Sequence, residues 1–240
     1  MLKVDFHTHT NYVQRWEGKH SPKELIDRAK CLGFDAICIT EHYWPEKPSH
    51  SPYRKDPLRT YRDYKDYAKQ KDILLIPGVE IKVPGSGDVV LINFNDNITK
   101  IKSYEDFHKL PKDCIVMAAH PFFLKTCCVD NDLIKHIDKF DAIEYSHFYI
   151  KPINRNKKAV KVAKLFNKPL IPTSDAHWTF QMNYSYMLID AEKNIPSIIN
   201  AVKERKFKPI TKPLPYNKFF FIAASSCLGI FMKYILKIEI

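Results

Sequence analysis

The segment Leu2-Lys3-Val4-Asp5-Phe6-His7-Thr8-His9 joins an apolar run to two histidines at its end. Successive side chains of a β-strand point to opposite faces, so residues two positions apart share one face. His7 and His9 therefore point the same way and can bind one metal ion together. This segment predicts a buried strand whose end carries a metal site.

Further apolar runs repeat this arrangement along the chain. Strands are predicted over Leu2–Phe6, Ala36–Thr40, Ile73–Glu80, Val89–Phe94, Ile115–Ala119, Ala142–Tyr145, Leu170–Thr173 and Tyr186–Ile189. Amphipathic stretches between them predict helices over Pro22–Cys31, Leu58–Lys71, Asn131–Lys139, Ile153–Asn167 and Pro196–Lys206. Such β–α units with buried, non-alternating strands predict a parallel α/β barrel or a doubly wound sheet.

Polar side chains follow most of these strands where each strand ends. They are Glu41 with His42, Glu80, His120, Glu144 with His147, and Asp175 with His177. In α/β barrels the carboxyl ends of the strands carry the active site. Imidazole mixed with carboxylate suits Zn, Mn or Fe better than Ca or Mg, which prefer oxygen ligands. These ligands exceed the needs of one ion with open positions, so the sequence predicts a cluster of two or three divalent metals.

The remaining histidines are less informative. His20 precedes a helix-capping serine in the first β–α loop, where a ligand and an ordinary loop residue are equally compatible with the pattern. His50, His108 and His136 fall in a loop or in the middle of helical stretches and are predicted to be surface residues.

Composition excludes several classes of protein. Of the 240 residues, 45% are hydrophobic and 27% charged, which is typical of a globular domain and not of a disordered chain or a coiled coil. Neither G-x-G-x-x-G nor G-x-x-x-x-G-K-[ST] occurs, so the usual nucleotide-binding folds are not expected. The six cysteines include no C-x-x-C pair, and the segment Met1-Leu2-Lys3-Val4-Asp5 lacks the apolar core of a signal peptide. Both features predict reduced thiols in the cytoplasm.

The last part of the sequence differs from the rest. The net charge is +11, and residues 203–240 hold eight basic and two acidic residues. Residues 219–232 carry no charge, and as a helix they would cover about 21 Å, short of the ~30 Å hydrocarbon core of a membrane. We predict a catalytic domain over 1–210 and an amphipathic tail over 211–240. The tail could pack on the barrel or a second subunit, contact a membrane surface, or act as an anchor.

Six motifs resemble, in the same order, those of the PHP domain family, named for polymerases and histidinol phosphatase. They are Asp5-Phe6-His7-Thr8-His9-Thr10, Thr40-Glu41-His42, Gly78-Val79-Glu80, Ala119-His120-Pro121, Ile143-Glu144 and Ser174-Asp175-Ala176-His177. The resemblance covers about residues 2–180. It implies a distorted, TIM-like (β/α)7 barrel with a short C-terminal extension, a two- or three-metal centre and phosphoesterase activity.

The resemblance also implies a ligand set. His7, His9, Glu80 and Asp175 would hold the first metal. Glu80 would bridge to a second metal bound by His120, and His42, His177 and His20 would hold a third. Many family members have another histidine on the strand after the bridging glutamate. Here that strand reads Asp88-Val89-Val90-Leu91-Ile92, so either the second metal is held less tightly or His147 takes this place.

The predicted reaction is hydrolysis of a phosphate ester by a hydroxide that bridges two metals. The substrate would be a small phosphorylated metabolite, a nucleotide or a short oligonucleotide, so nucleic acid enters only as a substrate. His147 is the predicted acid that protonates the leaving group, and Arg155 is a predicted phosphate contact. The oligomeric state is not predicted.

Three alternative functions stay open. One is a histidinol-phosphatase-like activity, which the Thr40-Glu41-His42 motif and His20 favour. A second is C–N bond hydrolysis of the amidohydrolase type, although those barrels commonly bridge their metals with a carbamylated lysine. The third is a non-catalytic scaffold related to RNA-processing subunits, a type that usually loses its metal ligands.

Overall fold

The computed structural model describes residues 1–15, 18–123 and 128–234, in which one mixed sheet carries six helices. The strands are β1 (Leu2–Thr8), β2 (Ala36–Ile39), β3 (His42–Tyr43), β4 (Leu74–Lys82), β5 (Asp88–Ile92), β6 (Ile115–Ala118), β7 (Ala142–Ser146), β8 (Leu170–Thr173), β9 (Ser185–Ile189) and β10 (Phe207–Thr211). The helices are α1 (Pro22–Cys31), α2 (Arg59–Gln70), α3 (Asn131–Lys135), α4 (Asn156–Leu165), α5 (Ile195–Lys203) and α6 (Tyr216–Tyr234). Every predicted strand is present, and β3 and β10 are additional.

The strands form a nearly closed barrel. Their order is β10-β9-β1-β2-β4-β5-β6-β7-β8, and β3 pairs with β4. The neighbours β1 and β2, β2 and β4, β6 and β7, and β7 and β8 are parallel. A parallel bridge between Thr8 and Ala176, just after β8, joins the two sides of the barrel at the rim. The predicted distorted α/β barrel is confirmed.

One strand departs from a purely parallel β–α repeat. β5 runs antiparallel to both β4 and β6. Only residues 83–87 connect β4 to β5, and this segment contains Pro84, Gly85 and Gly87. A parallel crossover needs about a dozen residues or more, so this connection can only form a hairpin. The amino end of β5 therefore lies at the same rim as the carboxyl ends of the parallel strands.

Two apolar layers hold the barrel together. Inside it, Ile76, Val90 and Met117 belong to a buried cluster that also includes residues of α5. Outside it, Leu25 and Ile26 of α1 pack with residues of β2 and β4. Ile76 and Glu80 lie four positions apart on β4 and share a face, so the inner apolar layer supports the polar rim.

The helix ends follow local sequence. Ser21 caps α1, and its side chain and that of Glu24 form a capping box. The structure forms α6 over most of the apolar tail, while residues 235–240 lie outside the described residues. In the part of the chain that the structure describes, no helix is both long and apolar enough to cross a membrane. The division into a 1–210 domain and a 211–240 tail stays a prediction.

Gly87→Ala is expected to lower the free energy of unfolding by about 1–3 kcal/mol. A Cβ at Gly87 would lie 2.2 Å from the backbone carbon of Cys128, so the backbone segment there must move. Gly85 has open space around its Cβ position but a φ of +72°, so Gly85→Ala should cost only about 1 kcal/mol of strain. Urea unfolding of both variants checks this order, and equal losses would contradict it.

Candidate metal centre

A first group of ligand atoms meets where β1, β4 and the end of β8 converge. His7 Nε2 lies 3.0 Å from His9 Nε2 and 3.1 Å from Oε2 of Glu80. Oδ1 of Asp175 lies 3.2 Å from His9 Nε2 and 3.5 Å from His7 Nε2. His7, His9 and Glu80 have no exposed side-chain surface. Four potential ligands thus surround one buried point.

These distances fit the edges of a metal coordination shell. At a metal–ligand distance of about 2.1 Å, neighbouring ligands lie about 3.0–3.4 Å apart. Asp175 Oδ1 is buried and makes no hydrogen bond, although it faces the nitrogens of His7 and His9. Such an atom is costly to bury unless a cation or a donor satisfies it. The four residues therefore fit a transition-metal ion.

A second group uses the other oxygen of Glu80. Oε1 of Glu80 lies 3.2 Å from His120 Nε2, and Asp88 completes a set of three candidate ligands. The two Glu80 oxygens thus face different imidazoles, as a bridging carboxylate requires. Sequence reasoning missed Asp88 because it searched the carboxyl ends of strands, whereas Asp88 is the first residue of the reversed strand β5.

A third group lies nearer the solvent. His9, His42 and His177 can offer three nitrogens to one ion. The His9 ring stacks between the other two, with ring centroids 4.7 Å from His42 and 4.4 Å from His177. His177 has 31% of its side chain exposed, against none for His9. This group therefore forms the open side of the site.

Glu144 positions one of the candidate ligands, His7. Its Oε1 lies 2.8 Å from Nδ1 of His7 and accepts a hydrogen bond from that nitrogen. The Nε2 of His7 is therefore free to bind a metal. Glu144 also accepts hydrogen bonds from the backbone N–H of His120 and from the hydroxyl of Thr173. It therefore holds ligands of the first and second groups in place together.

The charges of the site are mutually dependent. Burial alone would raise the pKa of Glu80, but His42 and His7 bring it well below its usual range. Burial opposes protonation of His7, yet Glu80, Glu144 and Asp175 raise its pKa well above the ordinary value. Burial raises the pKa of Asp88 to about 6, with Glu80 adding to the effect. Divalent cations would replace these protons as the partners of the carboxylates.

Two candidate ligands have strained backbones. His120 has a φ of +28° and Asp175 has a φ of +42°, in the region that favours glycine. Such a conformation costs on the order of 1–3 kcal/mol and persists where the surroundings impose it. Both residues lie two positions after the last residue of their strand, at the bend where the chain leaves the rim next to the shared centre.

Two other predicted site residues, His20 and Arg155, lie near this centre, whereas three further histidines lie outside it. His20 is buried, and burial lowers its pKa to about 4, with a contribution from His177. Arg155 donates to the backbone oxygen of Phe123 and lines a narrow cleft that His120 also borders. His50 and His108 are exposed, whereas His136 is half-buried and stacks on Tyr104 with centroids 4.6 Å apart.

His147 is buried beside the centre and belongs to none of the three groups among the described residues. Oε1 of Gln181 accepts the Trp178 N–H, so the Gln181 amide nitrogen faces His147 and donates to its Nε2 at 2.8 Å. The proton of a neutral His147 ring is therefore on Nδ1. Burial lowers the pKa of His147 to about 4, so the ring is neutral at pH 7. Its role as an acid stays a prediction.

Asp5→Asn is expected to stabilise the metal-free protein at pH 8 by about 2–4 kcal/mol. Burial raises the pKa of Asp5 to about 7, although backbone N–H groups of Ser174 and His7 partly oppose this. The folded state then keeps a proton that the unfolded state loses above about pH 4. Wild-type stability should therefore fall as the pH rises from about 4 to 7, and the asparagine removes this loss.

The measurement is denaturant unfolding of chelator-treated protein between pH 4 and pH 8. Asp66→Asn, at an exposed position of α2, serves as the control and should follow the wild-type curve. A constant difference between wild type and Asp5→Asn across this range would contradict the assignment.

Comparison of the chain with known proteins finds one matching family, a distant relative in sequence and several similar structures. A sequence model of the PHP domain matches residues 5–156. The uncharacterized protein MJ1295 of Methanocaldococcus jannaschii is 25% identical over 160 residues, 59% of this chain and 67% of that protein. A two-domain Bacteroides vulgatus protein, described as containing a predicted PHP-like metal-dependent phosphoesterase, superposes with a TM-score of 0.69 and 23% identity over 94% of this chain and 70% of its own. The lesion-specific endonuclease PfuEndoQ of Pyrococcus furiosus reaches a TM-score of 0.53 at 15% identity, over 87% of this chain and 57% of its own.

Proposed function

Because the chain belongs to the PHP domain family, we propose that it is a metal-dependent phosphoesterase with two or three first-row divalent ions, Zn, Mn or Fe. The observation that carries this proposal is Glu80, whose two oxygens face separate sets of imidazoles 3.1–3.2 Å away. When bound, the ions would supply a nucleophile at neutral pH and neutralise the charge of a phosphate group.

The ligand assignments follow the three groups. The first ion would take His7, His9, Glu80 and Asp175, and the second Glu80, Asp88 and His120. The third would take His42, His177 and His9, with buried His20 as a further candidate. Asp88 removes the need for His147 as a ligand of the second ion.

Other side chains would act on the substrate. Arg155 shares a cleft with His120, which suits a contact to a phosphate oxygen. His147, neutral at pH 7, can donate a hydrogen bond through Nδ1, and it can act as an acid only where a bound phosphate raises its pKa. The Nζ of Lys82 lies 3.6 Å from Oδ1 of Asp88 and adds a positive charge beside the second group of ligands.

The substrate class follows from charge and access. The net charge of +11 favours anionic substrates, and the open side at His177 admits a small phosphate ester, a nucleotide or the end of a short oligonucleotide. Glu80 occupies the bridging position where amidohydrolases commonly use a carbamylated lysine, which disfavours C–N hydrolysis. The retention of three complete ligand groups disfavours a non-catalytic scaffold.

The test combines metal content with turnover. Protein purified without chelator would be analysed for metals and assayed on p-nitrophenyl phosphate and bis(p-nitrophenyl) phosphate. We expect two to three ions per chain in the wild type. A His7→Ala/His9→Ala variant should lose at least the first of these ions together with turnover. His108→Ala removes an exposed imidazole and should change neither. No metal and no turnover after reconstitution with Mn or Zn would overturn the proposal.

A further inference from the structure

We propose that the amino-terminal part of α6 and a basic cavity beside it bind the surface of an anionic phospholipid membrane. The cavity, of about 200 Å³, is separate from the metal centre. It lies between α1, the segment before β9 and the start of α6. Its lining includes Arg28, Lys212, Lys218, Phe180, Asn183 and Tyr184.

The cavity has an excess of positive charge. Arg28, Lys212 and Lys218 line it, and none of its described lining residues is acidic. Lys3 is a fourth cation nearby, and its Nζ donates to Oδ1 of the lining residue Asn183 at 2.5 Å. Burial lowers the pKa of Lys3 and repulsion from Lys212 lowers it further, although Asp5 and Asp35 partly oppose this. Such a cluster is suited to an anionic phosphate group.

The cavity also offers groups that orient an anion. Lys218 Nζ donates to the Tyr184 hydroxyl at 3.0 Å and lies 5.3 Å from the centre of the Phe180 ring. The lysine is thereby held at the cavity wall instead of extending into solvent. A volume of about 200 Å³ is below the roughly 300 Å³ typical of pockets that enclose a whole small molecule. It suits a headgroup phosphate whose remainder lies outside the cavity.

An exposed aromatic side chain of α6 lies next to this cavity. Phe219 packs inward on Phe148, with ring centroids 4.5 Å apart. Phe221 is 47% exposed, and its ring centroid lies 5.8 Å from that of Phe180 in the cavity wall and 5.3 Å from that of Trp178. Lys218 and Phe221 are three positions apart and therefore share a helix face. Large aromatic rings beside lysines are the combination that interfacial helices insert at the boundary between headgroups and acyl chains.

These observations favour a membrane over the other possible partners. A free anion would explain the cations but not the exposed Phe221 beside them. A second copy of the chain would cover the aromatic rings, but it would have to bring carboxylates to Arg28 and Lys212. An anionic bilayer satisfies both requirements at once, because its phosphates and its acyl chains lie in adjacent layers.

The test uses the full chain and vesicles of phosphatidylcholine, with or without phosphatidylserine, in a co-sedimentation assay. We expect binding to the anionic vesicles that weakens as salt is added. Arg28→Gln/Lys212→Gln should weaken it by about fivefold per charge, on the order of 25-fold in total. Lys157→Gln/Lys161→Gln removes two exposed charges from α4 and should change binding less than twofold.

The aromatic contribution is measured separately. Phe221→Ser should weaken binding to anionic vesicles by about tenfold or more, since a phenyl group leaves the bilayer. Metal content and melting temperature should match wild type in every variant, which separates lost binding from misfolding. Absence of binding to anionic vesicles, or equal loss in the α4 control, would overturn the proposal.

Two further results would also overturn it. If millimolar inorganic phosphate or glycerophosphoserine abolishes vesicle binding, the cavity is a site for a soluble anion. If the lipid-free protein is a dimer that Phe221→Ser converts to a monomer, the aromatic face is a subunit interface. The assay does not depend on phosphoesterase activity, so the two proposals succeed or fail independently.

Discussion

Glu80→Gln is expected to lower turnover by at least about a thousandfold and to reduce the metal content by more than one ion per chain. A carboxylate whose two oxygens face different imidazoles can share its charge between two ions, and an amide cannot. Loss of a group that orders the charged centre of a hydrolase typically costs factors of 10²–10³ or more. Because both neighbouring sites depend on Glu80, the two losses should occur together.

Elemental analysis and steady-state kinetics of the same preparation check this result. Glu41→Gln is the matched control, since Glu41 is also fully buried and adjoins His42 at the rim. It accepts hydrogen bonds from Thr60, at 2.8 Å, and from Thr10, and thereby ties the loop after β1 to α2. We expect the control to keep its metals and to lose less than about tenfold in turnover. Full occupancy and normal turnover in Glu80→Gln would show that the carboxylate does not bridge.

Asp88→Asn is expected to remove one ion per chain and to lower turnover by about 10²–10³-fold. Asp88 meets Glu80 and His120 in the second group, so its loss leaves the ligands of the first group intact. Its pKa of about 6 adds a pH test, because metal binding must displace the proton. In the wild type, occupancy of the second site should therefore decrease as the pH falls below about 6. The variant should show no such decrease near pH 6.

Metal titrations followed by calorimetry at pH 5.5 and pH 7.5 measure the difference. Asp96→Asn removes an exposed carboxylate outside the site and should bind as wild type does. If Asp88→Asn keeps its full metal content, the second ion depends on other residues, with His147 as the first candidate. Comparison with Glu80→Gln then distinguishes a shared ligand from a ligand of one ion.

Much of the barrel could be predicted because its determinants are local. Buried strands need continuous apolar runs, and their lengths and spacing are visible in the sequence. Helix α1 begins at its predicted residue because Ser21 and Glu24 satisfy its first N–H groups through neighbouring positions. Strands β3 and β10 were not predicted. The first has two residues, and the second contains Pro209, so neither has the usual pattern.

The candidate ligands were also largely predictable, because parallel strands bring their carboxyl ends to one rim. The alternation of β1 is enough to place His7 and His9 on the same side. The residue Asp88 could have been found from the turn Pro84-Gly85-Ser86-Gly87, which is too short for a crossover and reverses the chain. A reversed strand presents its first residue, not its last, to the rim.

The sequence by itself determined the family, the order of the strands along the chain and the residue types at their ends. Only the tertiary structure decided which of these residues belong to a candidate ligand group and which support one from outside. It shows that Glu144 orients His7 instead of joining a ligand group, that Asp88 completes the second group, and that Gln181 contacts His147. The physical reason is that patterns along the chain report burial and direction over a few residues. The choice between binding a metal and supporting a ligand depends on distances of about 3 Å between atoms far apart in the sequence, which only the closed barrel sets.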